Sequence, residues 1–448
     1  VGRLGLLDQA AFLRLRATGQ GSAAQCTWLY DRDVNVDELR AFTDHLSAGL
    51  LGRRIERSPL PFGRHRWVLG GRPPPVAVEP ARPRWELGAW VEQRAQVPVD
   101  PEHGPAFHLG VLPLDDGGAA VTLVASHCVV DGLAFVQAIT EGVKKERRNL
   151  GYPLPGSRTR WRAVAEDLAE ALLSLPTVLR ALLATLVIVF NASPAKVPRS
   201  TRKALAHNAV DDVAITLPAV TLQTDNAAWE ARARSLDGSS NALFVAFAAR
   251  LADRAGRVLA DGHTATIVLP VSERTSADDD RANALTSITL AVDARAVATE
   301  LGGVRSDLKG ALSALRQQPN AMLAGLPLVP FTPRWLVRRA EDIAMSVDQL
   351  PVGCSNLGVI DTAVGRIDGA DATEIAIRLV EQGATRRRVE EAGGQLFCAT
   401  GKVGDARFLT VAAYHEGAEN TAAAARELAC GALADLGLRA DSGYEGQP

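Results

Sequence analysis

Apolar positions recur along the chain with two periods, and the switching between them predicts interleaved strands and helices. QCTWLYD reads as a strand. NVDELRAFTDHLSAGLLG then places Val36, Leu39, Phe42, Leu46 and Leu50 at three- and four-residue steps, one face of a helix. Asn35, with Glu38 three positions on, supplies a start signal for it. FHLGVLPL and AAVTLVASH flank DDGG and read as a hairpin. DGLAFVQAITEGV follows, with Leu133, Val136, Ile139 and Val143 on one helical face. Further on, DVAITLP, ATIVLPVSER, NALTSITLAVD, VGCSNLG, EIAIRLV, QLFCATG and ARFLTVAAYH read as strands. SSNALFVAFAARLADRAG, stretches near 295–316 and 333–347, and a final alanine-rich run from Asn420 to Leu438 read as helices. The class is α/β, or mixed α+β with large sheets.

A length of 448 residues predicts two domains. Pro- and Arg-containing segments at 151–163 and 192–204 flank an apolar run and mark the crossing between lobes. The expected division is 1–160, an inter-lobe crossing at 161–205, and 206–448. The crossing contains ALLSLPTVLRALLATLVIVF. Pro176 and Arg180 interrupt its apolar run, which favours a buried or interface-lying helix with its apolar face on a partner or lipid over a membrane span. The tail DSGYEGQP reads as loose.

A net charge of −2 argues against nucleic acid as a partner. The five cysteines, Cys26, Cys128, Cys354, Cys398 and Cys430, are scattered without a CxxC pair, so free thiols in a reducing cytoplasm are expected, with no metal site. Asp8 breaks the apolar core that a signal peptide would need.

The candidate chemistry lies in AAVTLVASHCVVDGLAF, Ala119 to Phe135. His127 ends a greasy strand, and Asp131 and Gly132 follow at the junction with a helix. Imidazole is the side chain suited to moving a proton near neutral pH, and a strand-to-helix junction exposes it to substrate. A core histidine with both nitrogens satisfied is the competing reading. Asp131 either orients His127 or turns away to hold the loop by an ion pair. Arg274, at the end of LPVSER, is its candidate partner through a guanidinium fork. Cys128 is read as core packing.

SHCVVDG resembles the HxxxDG signature of the superfamily that includes chloramphenicol acetyltransferase, peptide-synthetase condensation domains, polyketide-associated acyltransferases and wax ester synthase/diacylglycerol acyltransferases. Ser126 stands where many members carry a first histidine, and His127 stands at the second. RLGLLDQAAFLRL resembles the opening of the wax ester synthase branch, and LPVSER its Pro-Val-Ser-x-Arg strand. RANALTSITL resembles its Gly-Asn segment with Ala282 for the glycine. SSNALFVAFAARLADRAG resembles its Asn-Asp helix with Ala242 for the aspartate, and CSNLG resembles the late Ser-Asn motif.

The resemblance implies two chloramphenicol acetyltransferase-like lobes in a V with a substrate tunnel between them. It implies acyl transfer from a thioester, acyl-CoA or an acyl carrier protein, to an acceptor hydroxyl, with no bound cofactor and no covalent acyl-enzyme. His127 is then the general base. Asp131 and Arg274 form a structural brace, and Gly132 makes room for a pantetheine arm. Ser126, Ser355 and Asn356 are candidate oxyanion or substrate-binding groups. An amine acceptor, giving an amide, and a catalytically silent binding module of the same fold are the alternatives. A serine hydrolase is disfavoured because Leu357 occupies the place of the second glycine of GxSxG. Peripheral membrane contact and a monomer or homodimer complete the expectation.

Overall fold

The computed structural model describes residues 2–191, 212–276, 278–317, 321–338 and 350–441. The first half contains α1 (Leu6–Thr18), β1 (Gly21–Tyr30), α2 (Val36–Ala48), β2 (Arg53–Glu56), β3 (Arg66–Leu69) and β4 (Ala77–Val78). It continues with α3 (Leu87–Ala95), β5 (Phe107–Pro113), β6 (Ala119–Ser126) and α4 (Gly132–Val143). A long helix, α5 (Arg160–Asn191), leads away from it. The second half contains β7 (Ala219–Asp225), α6 (Asn226–Ser235), α7 (Ser240–Arg254), β8 (Thr264–Ser272), β9 (Leu285–Asp293), α8 (Gly302–Gln317) and β10 (Val352–Ile360). It ends with β11 (Glu374–Gln382), α9 (Arg386–Glu391), β12 (Gln395–Val403), β13 (Ala406–Tyr414) and α10 (Ala422–Asp435). The fold is mixed α/β, as the pattern predicted.

Two sheets organise the halves. One runs β11-β1-β6-β5-β4 and the other β7-β13-β12-β10-β8-β9. A division at residue 206 therefore does not describe sheet membership. β11 comes from the second half but pairs antiparallel with β1 from Gly21↔Gln382 to Leu29↔Glu374. This strand exchange locks the halves together, with a cleft in the angle between β11 and β10.

β1 and β6 lie inside the first sheet and are buried along almost their whole length; β6 reads as a nearly continuous apolar run, while β1 buries Gln25 and Thr27 within its own. α2 and α4 back that sheet. Asn35 caps α2, its side chain accepting from the Asp37 and Glu38 amides. Gly142 allows close packing of the two helices, since a Cβ there would stand 2.8 Å from the Phe42 ring. In the second half α7 is buried nearly all round, with Leu243, Phe244, Val245, Phe247 and Leu251 in one core.

One strand expectation changes. DVAITLP is not a strand. It contributes one bridge, Ala214↔Thr385, and the strand begins at Ala219 in a segment whose threonines and glutamine hid its burial. α5 runs through Pro176 without a break. A proline in a helix removes one hydrogen bond, which solvent can replace where the surroundings are exposed. Residues 334–338 are helical, and 339–349, like the 192–204 crossing segment and the tail from 442, lie outside the described residues.

Candidate active site

β6 ends at Ser126 and the chain turns at once, so His127 and Cys128 sit in a turn and not on opposite faces of a strand. The His127 amide donates to the Ser22 carbonyl at 2.9 Å. The His127 carbonyl accepts from Asn283 Nδ2 at 3.1 Å. With its backbone held on both sides, the imidazole lines a cavity of about 330 Å³ between the lobes. Neither ring nitrogen has a hydrogen-bond partner among the described residues. The walls are mostly apolar: Ala24, Ile377 and Leu379 from the first sheet, Pro270, Leu357, Phe397 and Ala399 from the second, with Leu133 and Leu285.

Asp131 makes no hydrogen bond to the imidazole. Its Oδ1 accepts from the Ala134 amide at 2.9 Å and caps α4. Its Oδ2 accepts from Arg274 Nη2 at 2.8 Å and from the Ala284 amide at 2.9 Å. Both carboxylate oxygens are thus occupied. Arg274 also donates to the carbonyls of Asp279, Arg281 and Ala282. The pair ties the start of α4 to the β8–β9 connection, with side chains only 8 % and 6 % exposed.

Gly132 and Leu357 meet across the cleft. A Cβ on Gly132 would stand 2.8 Å from Leu357 Cδ2, so the glycine's room is taken by a neighbouring leucine. Leu357 is lifted there by an irregularity in β10, whose register with β12 shifts between Asn356 and Val359. Asn356 stabilises the bulge: its Oδ1 accepts from the Gly358 amide at 2.8 Å, and its Nδ2 donates to Asn241 Oδ1. Gly358 has φ +70°, which suits glycine. Asn356 lines the cavity, but its amide is committed to this lock. Ser355 lines the same cavity with its hydroxyl uncommitted. Ser126 is not brought to the cavity. It is buried, and its hydroxyl accepts from the Cys128 amide at 3.3 Å. Burial pushes the Cys128 thiol up to about 12, so it is not a thiolate at neutral pH.

Three supporting residues, Asp8, Asn283 and Arg53, are not among the site residues that the sequence predicts. Asp8, buried on α1, accepts from the Asn283 amide at 2.8 Å and from Asn283 Nδ2 at 3.1 Å, so it orients the side chain that holds the His127 carbonyl. Burial raises the Asp8 pKa, and the nearby Arg53 guanidinium opposes that rise. Arg53 is 1 % exposed, stacks over Trp67 at 4.4 Å, and donates through Nη2 to the Val129 carbonyl at 2.6 Å. The turn carrying His127 is therefore held from α1, β2 and the β8–β9 connection. A lone acid in an apolar N-terminal helix was the one available clue, and its partner lies 275 positions away.

This architecture is a fold shared with solved condensation-domain and acyltransferase structures. The chain is similar to the first condensation domain of the CDA synthetase, at 12 % identity and a TM-score of 0.58, over 100 % of this chain and 99 % of that one. It is similar to polyketide synthase associated protein 5 from Mycobacterium tuberculosis, at 16 % identity and a TM-score of 0.53, over 96 % of each chain. It is also similar to the wax ester synthase/diacylglycerol acyltransferase from Marinobacter aquaeolei VT8, at 14 % identity and a TM-score of 0.54, over 97 % of this chain and 98 % of that one. No family model and no curated protein matches the sequence.

Proposed function

We propose that this protein is an acyltransferase that moves an acyl group from a thioester, on CoA or a carrier protein, to an acceptor hydroxyl. The observation that carries the reading is the unpartnered imidazole of His127 in an apolar cavity between two lobes, with its turn fixed from three sides. His127 takes the hydroxyl proton as the oxygen attacks the thioester carbonyl. The tetrahedral intermediate collapses, the C–S bond breaks, and His127 returns the proton to the departing thiolate. The Ser355 hydroxyl is the side-chain donor best supported for the developing oxyanion. Holding both reactants against one base supplies much of the rate through proximity. The apolar walls favour a hydrocarbon acyl group.

The scattered spacing of the five cysteines, with no CxxC pair, supports a reducing, cytoplasmic setting. Cys354 and Cys398 lie with Sγ atoms 3.5 Å apart and unbonded. α5 supports contact with a lipid surface, where apolar substrates partition. It is long and apolar enough to cross a membrane by length and composition, and Leu173 and Leu183 are 82 % and 63 % exposed.

The test is to incubate the protein with a panel of acyl-CoA and acyl-carrier donors, each with alcohols and amines, and to identify products by mass. An ester with release of free thiol is the expected product. An amide would move the acceptor class to amines, and no transfer with any donor would leave the fold as a binding module.

A further inference from the structure

A second cavity, of about 450 Å³, adjoins the first, and Phe397 lines both. Alternate residues on a strand share one face. On β12, Gln395 lines the second cavity, Phe397 both, and Ala399 the first. On β8, Thr266 and Val268 line the second, and Pro270 and Ser272 the first. On β10, Gly353 lines the second and Ser355 the first. One face of the second sheet thus runs from one cavity into the other. The β12 segment from Gln395 to Ala399 spans about 13 Å at the usual strand rise. Phe397 stands at the divide, folded over Gly353, where a Cβ would lie 2.6 Å from its ring.

The second cavity has a different character. Arg257 lines it and is only 4 % exposed. Its Nη1 donates to the Gly393 carbonyl at 2.8 Å. Its Nε is buried with no partner, and it makes no ion pair among the described residues. Burial lowers its pKa, and no neighbouring carboxylate raises it. Arg388, on α9, lines the same cavity and likewise has no ion pair among the described residues. The carboxylate that does line it, Glu381, already accepts from the Ser22 hydroxyl at 2.8 Å and lies 3.9 Å from Arg14. A buried cation without a counter-ion is costly, so its natural complement is an anion delivered by a ligand.

We propose that this second cavity is an oxyanion subsite: Arg257, assisted by Arg388, binds a phosphate or carboxylate carried on a substrate whose reacting end lies in the first cavity beside His127. The proposal rests on the acyl-transfer reading only for that last clause. The same chemistry could come from a phosphate of the thioester donor or from a carboxylate on the acceptor.

Binding measured by calorimetry on the full chain carrying His127→Ala separates the subsite from turnover. The probes are CoA, pantetheine (the same arm without phosphates) and succinate. CoA binding at least tenfold tighter than pantetheine, with the difference lost in Arg257→Gln, assigns the subsite to a donor phosphate. Succinate binding that is lost in Arg257→Gln assigns it to a carboxylate. Arg388→Ala, on a partly exposed helix position, weakens either by severalfold and serves if Arg257→Gln fails to fold. If neither anion binds, or if a folded Arg257→Gln or Arg388→Ala binds both as tightly as the parent, Arg257 only holds the Gly393 turn and the proposal is overturned. That result would leave the acyl-transfer reading intact, since panel turnover tests it separately.

Discussion

At the scale of single residues, the site depends on what Asp131 does. Its two oxygens are committed to Arg274, a helix cap and a backbone amide, so it holds the turn and leaves the imidazole free. Removing one partner of a buried pair leaves the other charge uncompensated, at about 3–5 kcal/mol. Asp131→Ala should therefore lower the urea midpoint and the soluble yield as well as activity. The double variant Asp131→Ala/Arg274→Gln should lose less than the sum of the two single losses, because neither charge is then stranded. Additive losses, or an Asp131→Ala protein of parental stability, would contradict the brace. His127, Asp131 and Arg274 were legible because they stand in short motifs. Asp8, Asn283 and Arg53 were not: Asp8 and Asn283 fall in segments that resemble the wax ester synthase branch, but their contacts join positions far apart in sequence and nothing local discloses what they hold. Ser126 is buried away from the cavity, and a strand end does not disclose in its sequence which way its last side chain points.

At the scale of elements, hydrophobic period identified the strands and helices that bury one clean face, α2 and the β5–β6 hairpin among them. It failed where burial and polarity part company. β7 is buried through its threonines and Gln223, so its sequence does not read as a strand, whereas the more apolar stretch before it does. The composition of α5 was readable, but not the exposure of its leucines, which depends on what the rest of the chain leaves uncovered. The lipid-surface proposal makes a specific claim. The protein should co-sediment with phospholipid vesicles, and the double variant Leu173→Glu/Leu183→Glu should reduce the bound fraction at least fivefold while sparing transfer between water-soluble substrates. A parent protein that ignores vesicles would contradict the proposal.

At the scale of the whole molecule, two lobes are sewn together by β11, a topology that no local pattern announces because register is a long-range property. Stability should also carry a pH signature. His65 and His108 are both held down to about 4, chiefly by burial, with Arg57 adding to it at His65 and Arg94 at His108. The His65 Nδ1 accepts from the Ser58 amide, a bond made by the neutral ring. The unfolded chain takes up protons near pH 6.5, while the folded chain refuses them until about 4. Stability is thus fully present above 6.5 and falls as pH drops through that window, and Tm should fall with it. His65→Gln/His108→Gln should flatten the slope there, whatever it does to Tm at neutral pH. The central claim, however, concerns position 127. The most direct measurement is single-turnover acyl transfer, with a donor that the parent protein uses, by a His127→Ala variant whose circular dichroism and Tm match the parent. Loss of a general base predicts a rate about 10²–10⁴-fold lower with the fold unchanged, whereas a folded variant that transfers at the parental rate would contradict the account.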